Sequence, residues 1–354
     1  MRGVHRRQRI HRQARTWLSA LALASVSTIL LRTNVQVAAC GSDENLRVDD
    51  ATELEKLKAA VNCSGGGDVV AVWSGDVTLE SPVLVGSGTS LNVLGQSGVG
   101  AVARKGFQTR FFEVSSGAQL KLSTLKFAGG SAQNGGAILS NGSLTLDTCE
   151  FVRNKATTNG GAIWAGAGNV TIYGVEFSDN QATNFGGAVF TIGAELVIDD
   201  GTRFDGNRAE EGGAVYCRGS NNSSSEDSWS TAPCTLRDAV FLNNNAYGDE
   251  PDYDDIEDFD ENDDETPWAV LSGGGAVTFL NAEINISNCV FTNNSAQLAG
   301  GALYGGNATD LNISDCTFEG NTARGYGAAI AASSATFGGG TELIGNNATR
   351  HGGG

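Results

Sequence analysis

Apolar and polar residues alternate over short stretches of this chain, and the stretches recur. Each begins with an aliphatic-x-aliphatic pair, continues through two residues to a small or thiol residue, and ends at Phe. Examples are found at 144–151, 170–177, 284–291 and 311–318. Alternation with a period of two is typical of strands with one buried face, and each interruption indicates a corner. The pattern therefore predicts short strands joined at corners rather than amphipathic helices.

A Gly-Gly element, usually followed by Ala and an aliphatic residue, separates these stretches and sets the length of the repeat. Its first glycines are Gly135, Gly160, Gly186, Gly212, Gly274, Gly300, Gly327 and Gly352, at intervals of 25, 26, 26, 62, 26, 27 and 25 residues, and in the copy at Gly327 the second glycine is replaced by Ala328. A unit of this length is one coil of a solenoid that buries its apolar face only against its neighbours. We therefore predict a single all-β domain over residues 40–354. Its expected fold is a right-handed parallel β-helix with three short strands per coil.

Two positions of the repeat predict ladders of identical side chains. Because parallel coils stack about 4.8 Å apart, the recurring Phe should form one internal ladder, with Phe177 between Phe151 and Phe204. Asn follows Phe by three residues, and it tolerates left-handed turns and can hydrogen-bond to its own kind along a stack. The residues concerned are Asn154, Asn180, Asn207, Asn244, Asn294 and Asn321.

The paired Gly-Gly-Ala-aliphatic and Phe-x-x-Asn elements resemble the repeat of the chlamydial polymorphic outer membrane proteins. The resemblance covers roughly residues 120–354, and the wider fold resembles the pectin-lyase-like β-helices. The resemblance to the polymorphic outer membrane proteins implies that this chain is a surface adhesin. The chain stops at Gly354, inside a Gly-Gly element, from which we expect a fragment or truncated gene model whose last coil frays or pairs with another chain.

The N-terminal part of the sequence predicts that the chain is exported and that a helix caps the solenoid. Residues 1–39 contain seven Arg, no acidic residue and a 15-residue apolar run at 17–31, as in a signal peptide. The alternatives are an uncleaved membrane anchor or a lipid anchor at Cys40. Apart from these, we expect membrane association only if a missing C-terminal region anchors the chain. Residues 52–61 have helical spacing, with Thr52 as the N-cap and Glu55 completing a capping box, so we expect a helix that closes the first coil.

The charge of the chain limits its partners. The formal net charge is −17, and removal of the seven Arg of residues 1–39 leaves 16 basic against 40 acidic residues, which gives −24. So acidic a chain is a poor ligand for nucleic acid or anionic lipid. Extracellular glycans or proteins are the expected partners.

The one long interval contains two insertions. In the first, residues 217–234, Cys217 and Cys234 lie at the base of a polar loop and predict a disulfide; Cys40 and Cys63 are a second candidate pair near the cap. The second, residues 247–271, includes twelve carboxylates at 249–265. It is predicted to be a disordered, solvated loop. The alternative is a weak Ca²⁺ site formed by Asp252, Asp254, Asp255, Glu257, Asp258 and Asp260.

The remaining cysteines and the sequons are candidate modification sites. Cys149, Cys289 and Cys316 occupy one inward position of their coils, where burial as small apolar residues is expected; oxidation of the stacked Cys289 and Cys316 is the alternative. Ten Asn-x-Ser/Thr sequons are candidate glycosylation sites: Asn62, Asn141, Asn169, Asn221, Asn222, Asn285, Asn293, Asn307, Asn312 and Asn347.

Catalytic residues are hard to find in the sequence. His5 and His11 lie in the predicted signal peptide and His351 lies near the last residue, while Asp199-Asp200 falls at a predicted corner. Without a plausible base we expect no enzyme and no cofactor.

Aromatic rings recur two residues after the Ala of the Gly-Gly-Ala element, at Trp164, Phe190, Tyr216 and Tyr304. These rings are candidates for stacking on sugars if they face outward. In the alternative register they form a second core ladder. The preferred function is non-enzymatic adhesion at the cell surface or in the matrix; the alternative is a polysaccharide lyase, hydrolase or epimerase of pectin-lyase-like fold.

Overall fold

The computed structural model describes residues 46–63, 67–96, 100–103, 108–221, 229–230, 232–248 and 273–349. These residues form a right-handed parallel β-helix of about ten coils with three sheets. The predicted fold class is confirmed. The predicted signal peptide at 1–39 and the acidic residues 249–265 lie outside the described residues.

The largest sheet, which we call sheet A, contains two consecutive strands of each coil. The strands that precede its internal corner are Val83–Val85, Phe112–Val114, Ile138–Ser140, Ile163–Ala165, Val189–Ile192, Val215–Arg218 and Val277–Leu280. Those on its other half are Leu46–Val48, Gly67–Trp73, Thr89–Gly95, Gln119–Ser123, Ser143–Asp147, Asn169–Tyr173, Glu195–Asp199, Ala232–Arg237 and Ala282–Ser287. In the last two coils single strands, Leu303–Ser314 and Ile330–Gly338, run through both halves.

Two further sheets complete each coil. Sheet B contains the Phe strands: Val77–Leu79, Gly100–Ala103, Lys126–Ala128, Glu150–Val152, Glu176–Ser178, Arg203–Asp205, Val240–Leu242, Val290–Thr292, Thr317–Glu319 and Glu342–Ile344. Sheet C contains two-residue strands: Ser131–Ala132, Lys155–Ala156, Gln181–Ala182, Arg208–Ala209, Asn245–Ala246, Ser295–Ala296, Thr322–Ala323 and Asn347–Ala348. A separate antiparallel hairpin, Ser220–Asn221 with Trp229–Ser230, lies within the first insertion.

The predicted Phe ladder runs through the centre of the core. Phe177 is fully buried and pairs in register with Phe151 on one side and Phe204 on the other. Its ring centroid lies 5.1 Å from that of Phe151 and 4.7 Å from that of Phe204, with interplanar angles of 12° and 3°. One apolar ring per coil thus stacks at about the strand spacing of a parallel sheet.

The predicted asparagine ladder is equally regular. Asn180 donates from Nδ2 to the carbonyl oxygen of Phe151 at 2.9 Å and to Oδ1 of Asn207 at 3.0 Å. Its own Oδ1 accepts the backbone N–H and the Nδ2 of Asn154, both at 3.0 Å. Buried amides at this turn are therefore satisfied by the next coil, as buried polar groups generally require.

Each glycine of the Gly-Gly element is required for a different structural reason. Gly160 has a φ of +65°, and a Cβ there would lie 2.1 Å from the carbonyl oxygen of Ile163. At Gly161 a Cβ would lie 2.0 Å from the carbonyl oxygen of Gly187 in the next coil. The first glycine therefore allows the turn, and the second allows the coils to approach each other.

A helix at Ala51–Cys63 covers the first coil, and its N-cap differs from the prediction. Asp50, rather than Thr52, is the capping residue, because its Oδ1 accepts the N–H groups of Thr52 at 2.7 Å and Glu53 at 2.9 Å. A side-chain oxygen two residues earlier than predicted satisfies these first amides, and the helix begins one residue before the predicted start. Leu54 and Leu57 are buried in the core at the N-terminal end of the solenoid. Within the described residues, no helix has the length and apolarity needed to cross a membrane.

Candidate functional site

The candidate rings project from the outer face of sheet A. The aliphatic residue before each ring, such as Ile163 or Val189, is fully buried in the main core. Since successive strand residues point to opposite faces, the ring after it points away from that core. Paired registers align these positions across the coils in the order Leu139, Trp164, Phe190, Tyr216, Thr278 and Tyr304. We call this set the ring row.

The prediction that all four aromatic candidates of the ring row are surface-exposed is wrong. Phe190, Tyr216 and Tyr304 expose only 5%, 2% and 5% of their surface, and Trp164 alone is partly exposed. The core-ladder alternative is also wrong, because the aliphatic residues fill the core.

The reason is a second layer formed by the residue that precedes each Gly-Gly element. Phe185 occupies this position in its coil, and its ring centroid lies 4.7 Å from that of Tyr216 and 6.3 Å from that of Phe190. Where the position is Gly273, a Cβ would lie 3.2 Å from Cγ of Tyr304. The chain therefore crosses over the ring row on its way from sheet C to sheet A.

Trp164 and Phe185 are the partly exposed rings of this cluster. The Trp164 and Phe190 rings are 6.3 Å apart at 18°, and the Phe185 and Phe190 rings are 6.3 Å apart at 20°. A Cβ at Gly166 would lie 2.3 Å from Cη2 of Trp164, so glycine makes room for the indole. Both partly exposed rings thus stack on the buried Phe190. Sequence reasoning missed Phe185, although its aromatic side chain directly before Gly186 was a usable signal.

Glu211 lies in the same layer, one coil beyond Phe185, to which it is bridged. Burial raises the pKa of the Glu211 carboxyl to about 7; neighbouring Glu210 acts in the same direction and Arg218 opposes it. Burial and the charge of Glu211 raise the pKa of Tyr304 to about 12, and they also raise the pKa of Tyr216. The site therefore contains a carboxyl group that is part protonated near neutral pH.

Metal-binding groups do not converge in the described part of the chain: no set of three or more His, Cys, Asp or Glu side chains there could hold an ion. Oδ2 of Asp199 lies 3.0 Å from Nη2 of Arg237 in an ion pair. Asp200 has a backbone φ of +57°. Asp199 is the last residue of the strand Glu195–Asp199, and Asp200 begins the turn at the predicted corner. The Ca²⁺ candidates Asp252, Asp254, Asp255, Glu257, Asp258 and Asp260 lie outside the described residues.

The predicted disulfide between Cys217 and Cys234 is present, with Cα atoms 6.8 Å apart and both residues buried. A disulfide that closes a loop of this size stabilises the folded protein by on the order of 3 kcal/mol, through the entropy of loop closure. Cys149, Cys289 and Cys316 are buried free thiols, as expected of the inward position. Cys40 and the side chain of Cys63 lie outside the described residues.

Most candidate glycosylation sites with described side chains are exposed: Asn62, Asn169, Asn285, Asn293, Asn312 and Asn347. Asn141 is partly exposed. Asn169, Asn285 and Asn312 lie on the second half of sheet A. The side chains of Asn221, Asn222 and Asn307 are outside the described set.

Comparison with known proteins identifies the repeat. The model of the Chlamydia polymorphic membrane protein repeat matches residues 148–166, 174–192, 201–218, 288–306 and 315–333. Each match runs from the sheet B strand through the asparagine turn and the Gly-Gly element to sheet A. No curated protein sequence matches the chain.

Solved structures with a related path include the catalytic domain of a GH87 α-1,3-glucanase in complex with nigerose, at 11% identity and a TM-score of 0.35 over 88% of this chain. Another is ORF18 of Geobacillus virus E2, at 14% identity and a TM-score of 0.30 over 93% of this chain. The chain spans 66% and 64% of the lengths of these two structures. The five in-phase matches and the stacked coils together show that the chain is a parallel β-helix protein that carries the polymorphic membrane protein repeat.

Proposed function

We propose that this chain is a non-enzymatic adhesion module of the cell surface or extracellular matrix that binds neutral carbohydrate at Trp164 and Phe185. The observation that carries the proposal is a pair of partly exposed rings that both stack on the buried Phe190. Rings fixed in this way lose little conformational entropy on binding and offer flat apolar faces to sugar C–H groups.

Charge favours a neutral ligand. Next to the two rings lie the uncharged Leu139 and Asn159, and Glu211, which is bridged to Phe185, is acidic. The strongly acidic chain around them would repel polyanions such as uronate polymers or nucleic acids. Neutral glycans are therefore the better fit.

An extracellular location is part of the proposal. The Cys217–Cys234 disulfide is typical of oxidising compartments, and the matched repeat belongs to membrane proteins by its description. The partner would then be an extracellular glycan, free or attached to a protein.

A glycan array tests the proposal directly. The wild-type protein is expected to bind a subset of neutral glycans, and Trp164→Ala should weaken that binding by at least tenfold. Tyr173→Ala is the matched control, because Tyr173 is an exposed ring on the other half of sheet A. Equal binding by the wild-type and Trp164→Ala proteins would contradict the proposal, as would an equal loss in the control.

A second candidate function rests on Glu211. A carboxyl group with a pKa of about 7 beside Tyr216 and Tyr304 has the property required of a general acid in glycoside hydrolysis. Hydrolysis of a neutral glucan that is lost in Glu211→Gln would establish this activity. Unchanged hydrolysis in that variant, or none by the wild-type protein, would exclude Glu211 as the acid.

A further inference from the structure

Cys289 and Cys316 occupy equivalent positions in adjacent coils. Each lies two residues before the Phe of its coil, and the flanking pairs Ser287 with Ser314 and Val290 with Thr317 are in register. Both cysteines are buried in the main core. The two side chains therefore stack directly on each other.

A hydrogen bond joins the two cysteines. The backbone N–H of Cys289 donates to Sγ of Cys316 at 3.4 Å. Each thiol also lies within hydrogen-bond distance of a carbonyl oxygen two residues earlier, that of Ser287 at 3.3 Å or Ser314 at 3.1 Å. Hydrogen bonding with Cys289 lowers the pKa of Cys316, which favours the thiolate that attacks disulfides.

We propose that Cys289 and Cys316 form a disulfide that staples two adjacent coils. Stacked coils place equivalent Cα atoms about 4.8 Å apart, within the range of roughly 4.4–6.8 Å that disulfides span. In the reaction the two thiols lose two protons and two electrons and form one S–S bond. A low-molecular-weight disulfide, such as glutathione disulfide, accepts the electrons and protons and leaves as two thiols.

The adjoining coil provides a route for the oxidant. The N–H of Cys316 donates to Oγ1 of Thr341 at 3.4 Å, so residues of the Glu342–Ile344 coil cover this end of the pair. That coil is exposed, with Leu343 and Ile344 showing 42% and 46% of their surface. Local opening of an exposed coil requires far less free energy than global unfolding, and it would uncover Cys316 first.

Cys149 supplies an internal control. It occupies the same position in its own coil, but the neighbouring coils carry Leu125 and Val175 there. It is buried and free like the other two. Burial and position within the coil are therefore matched. The differences are the thiol neighbour and the exposed coil next to Cys316, and the Cys289→Val variant separates these two effects because it keeps the exposed coil.

The test uses the full chain, purified and incubated with glutathione disulfide. The protein is then denatured with excess iodoacetamide and digested without reduction, and its peptides are identified by mass spectrometry. We expect a peptide pair joined through Cys289 and Cys316, with Cys149 alkylated. In Cys289→Val, which copies the residue at Val175, Cys316 should be alkylated or carry glutathione.

Two results would overturn the proposal. One is alkylation of both Cys289 and Cys316 in a sample whose Cys217–Cys234 disulfide is intact. The other is glutathione attached to Cys316 without the cross-link in the wild-type protein. Circular dichroism of Cys289→Val checks that the coils still form, and a Cys149→Ala variant that retains the cross-link shows that the pair acts alone.

Discussion

At the scale of single residues, Phe177 has the most completely determined surroundings. Its ring stacks between Phe151 and Phe204 inside the core. Phe177→Ala should lower the free energy of unfolding by roughly 3–5 kcal/mol, because truncation leaves a cavity between two fixed rings. Chemical denaturation measures the loss, with Tyr173→Ala as a control of less than about 1 kcal/mol. A loss below about 1 kcal/mol at Phe177 would mean that the ladder is not structural.

Glu211 predicts a pH-dependent stability. The pKa of its carboxyl is raised in the folded protein to about 7 from an ordinary value of 4.5, so the folded state retains a proton that the unfolded chain releases. The stabilisation is present below pH 4.5 and is lost as the pH rises through 7.

Glu211→Gln should therefore be more stable than wild type at pH 8, by on the order of 1–3 kcal/mol, and the difference should shrink toward pH 4. Urea unfolding at a series of pH values measures it. Glu176→Gln removes an exposed carboxylate from sheet B and should follow the wild-type curve. A constant difference between Glu211→Gln and wild type across this range would contradict the prediction.

At the scale of elements, the N-terminal helix distinguishes two capping residues. Asp50→Ala removes the oxygen that accepts two helix N–H groups and should cost about 1 kcal/mol. Thr52→Ala should change stability by no more than about 0.5 kcal/mol. Thermal unfolding of both variants checks this, and a larger loss at Thr52 would restore the capping box predicted from the sequence.

The acidic insertion should be dispensable for folding. Strands on either side of it pair directly, since Val215–Arg218 is in register with Val277–Leu280 and Gly212 N–H donates to Gly273 at 3.1 Å. Deletion of residues 249–265 should therefore leave the far-UV circular dichroism and the unfolding midpoint nearly unchanged. A variant with a Gly-Ser linker of equal length is the control for chain length. Loss of soluble protein in both variants would show that the acidic residues themselves contribute to the fold, whereas loss in the deletion variant alone would show that the length of the insertion matters.

At the scale of the whole molecule, stability should decline along the solenoid. The strand Ile330–Gly338 and the strand Glu342–Ile344 are largely exposed, with Phe337 showing 51% of its surface. Coils in a solenoid are stabilised by their neighbours, so amides beyond Ala323 should exchange much faster than those of the central coils at 163–199. Hydrogen exchange followed by mass spectrometry measures this gradient. Uniform protection in a monomeric sample would contradict it.

Much of the fold follows from the sequence because every coil repeats the same local requirements. The Phe, Asn and Gly-Gly positions each recur at one place in the coil, and parallel stacking brings like residues together. The sequence alone therefore predicts the places of Phe177, Asn180 and Gly161 in the coil. The disulfide of Cys217 and Cys234 was equally predictable from the sequence, since the cysteines flank a polar insertion between two strands.

The candidate site was only half determined in this way. Strand periodicity established which face each ring occupies, because adjacent residues of a strand point in opposite directions. Burial of Phe190, Tyr216 and Tyr304 was decided by the covering layer of Phe185, Glu211 and their equivalents. That layer depends on the path of the chain between two sheets, which has no periodic pattern. The sequence by itself thus determined the coil, its ladders and its faces, while the tertiary structure decided which outward-facing side chains reach solvent and how a half-buried carboxyl group came to lie beside rings.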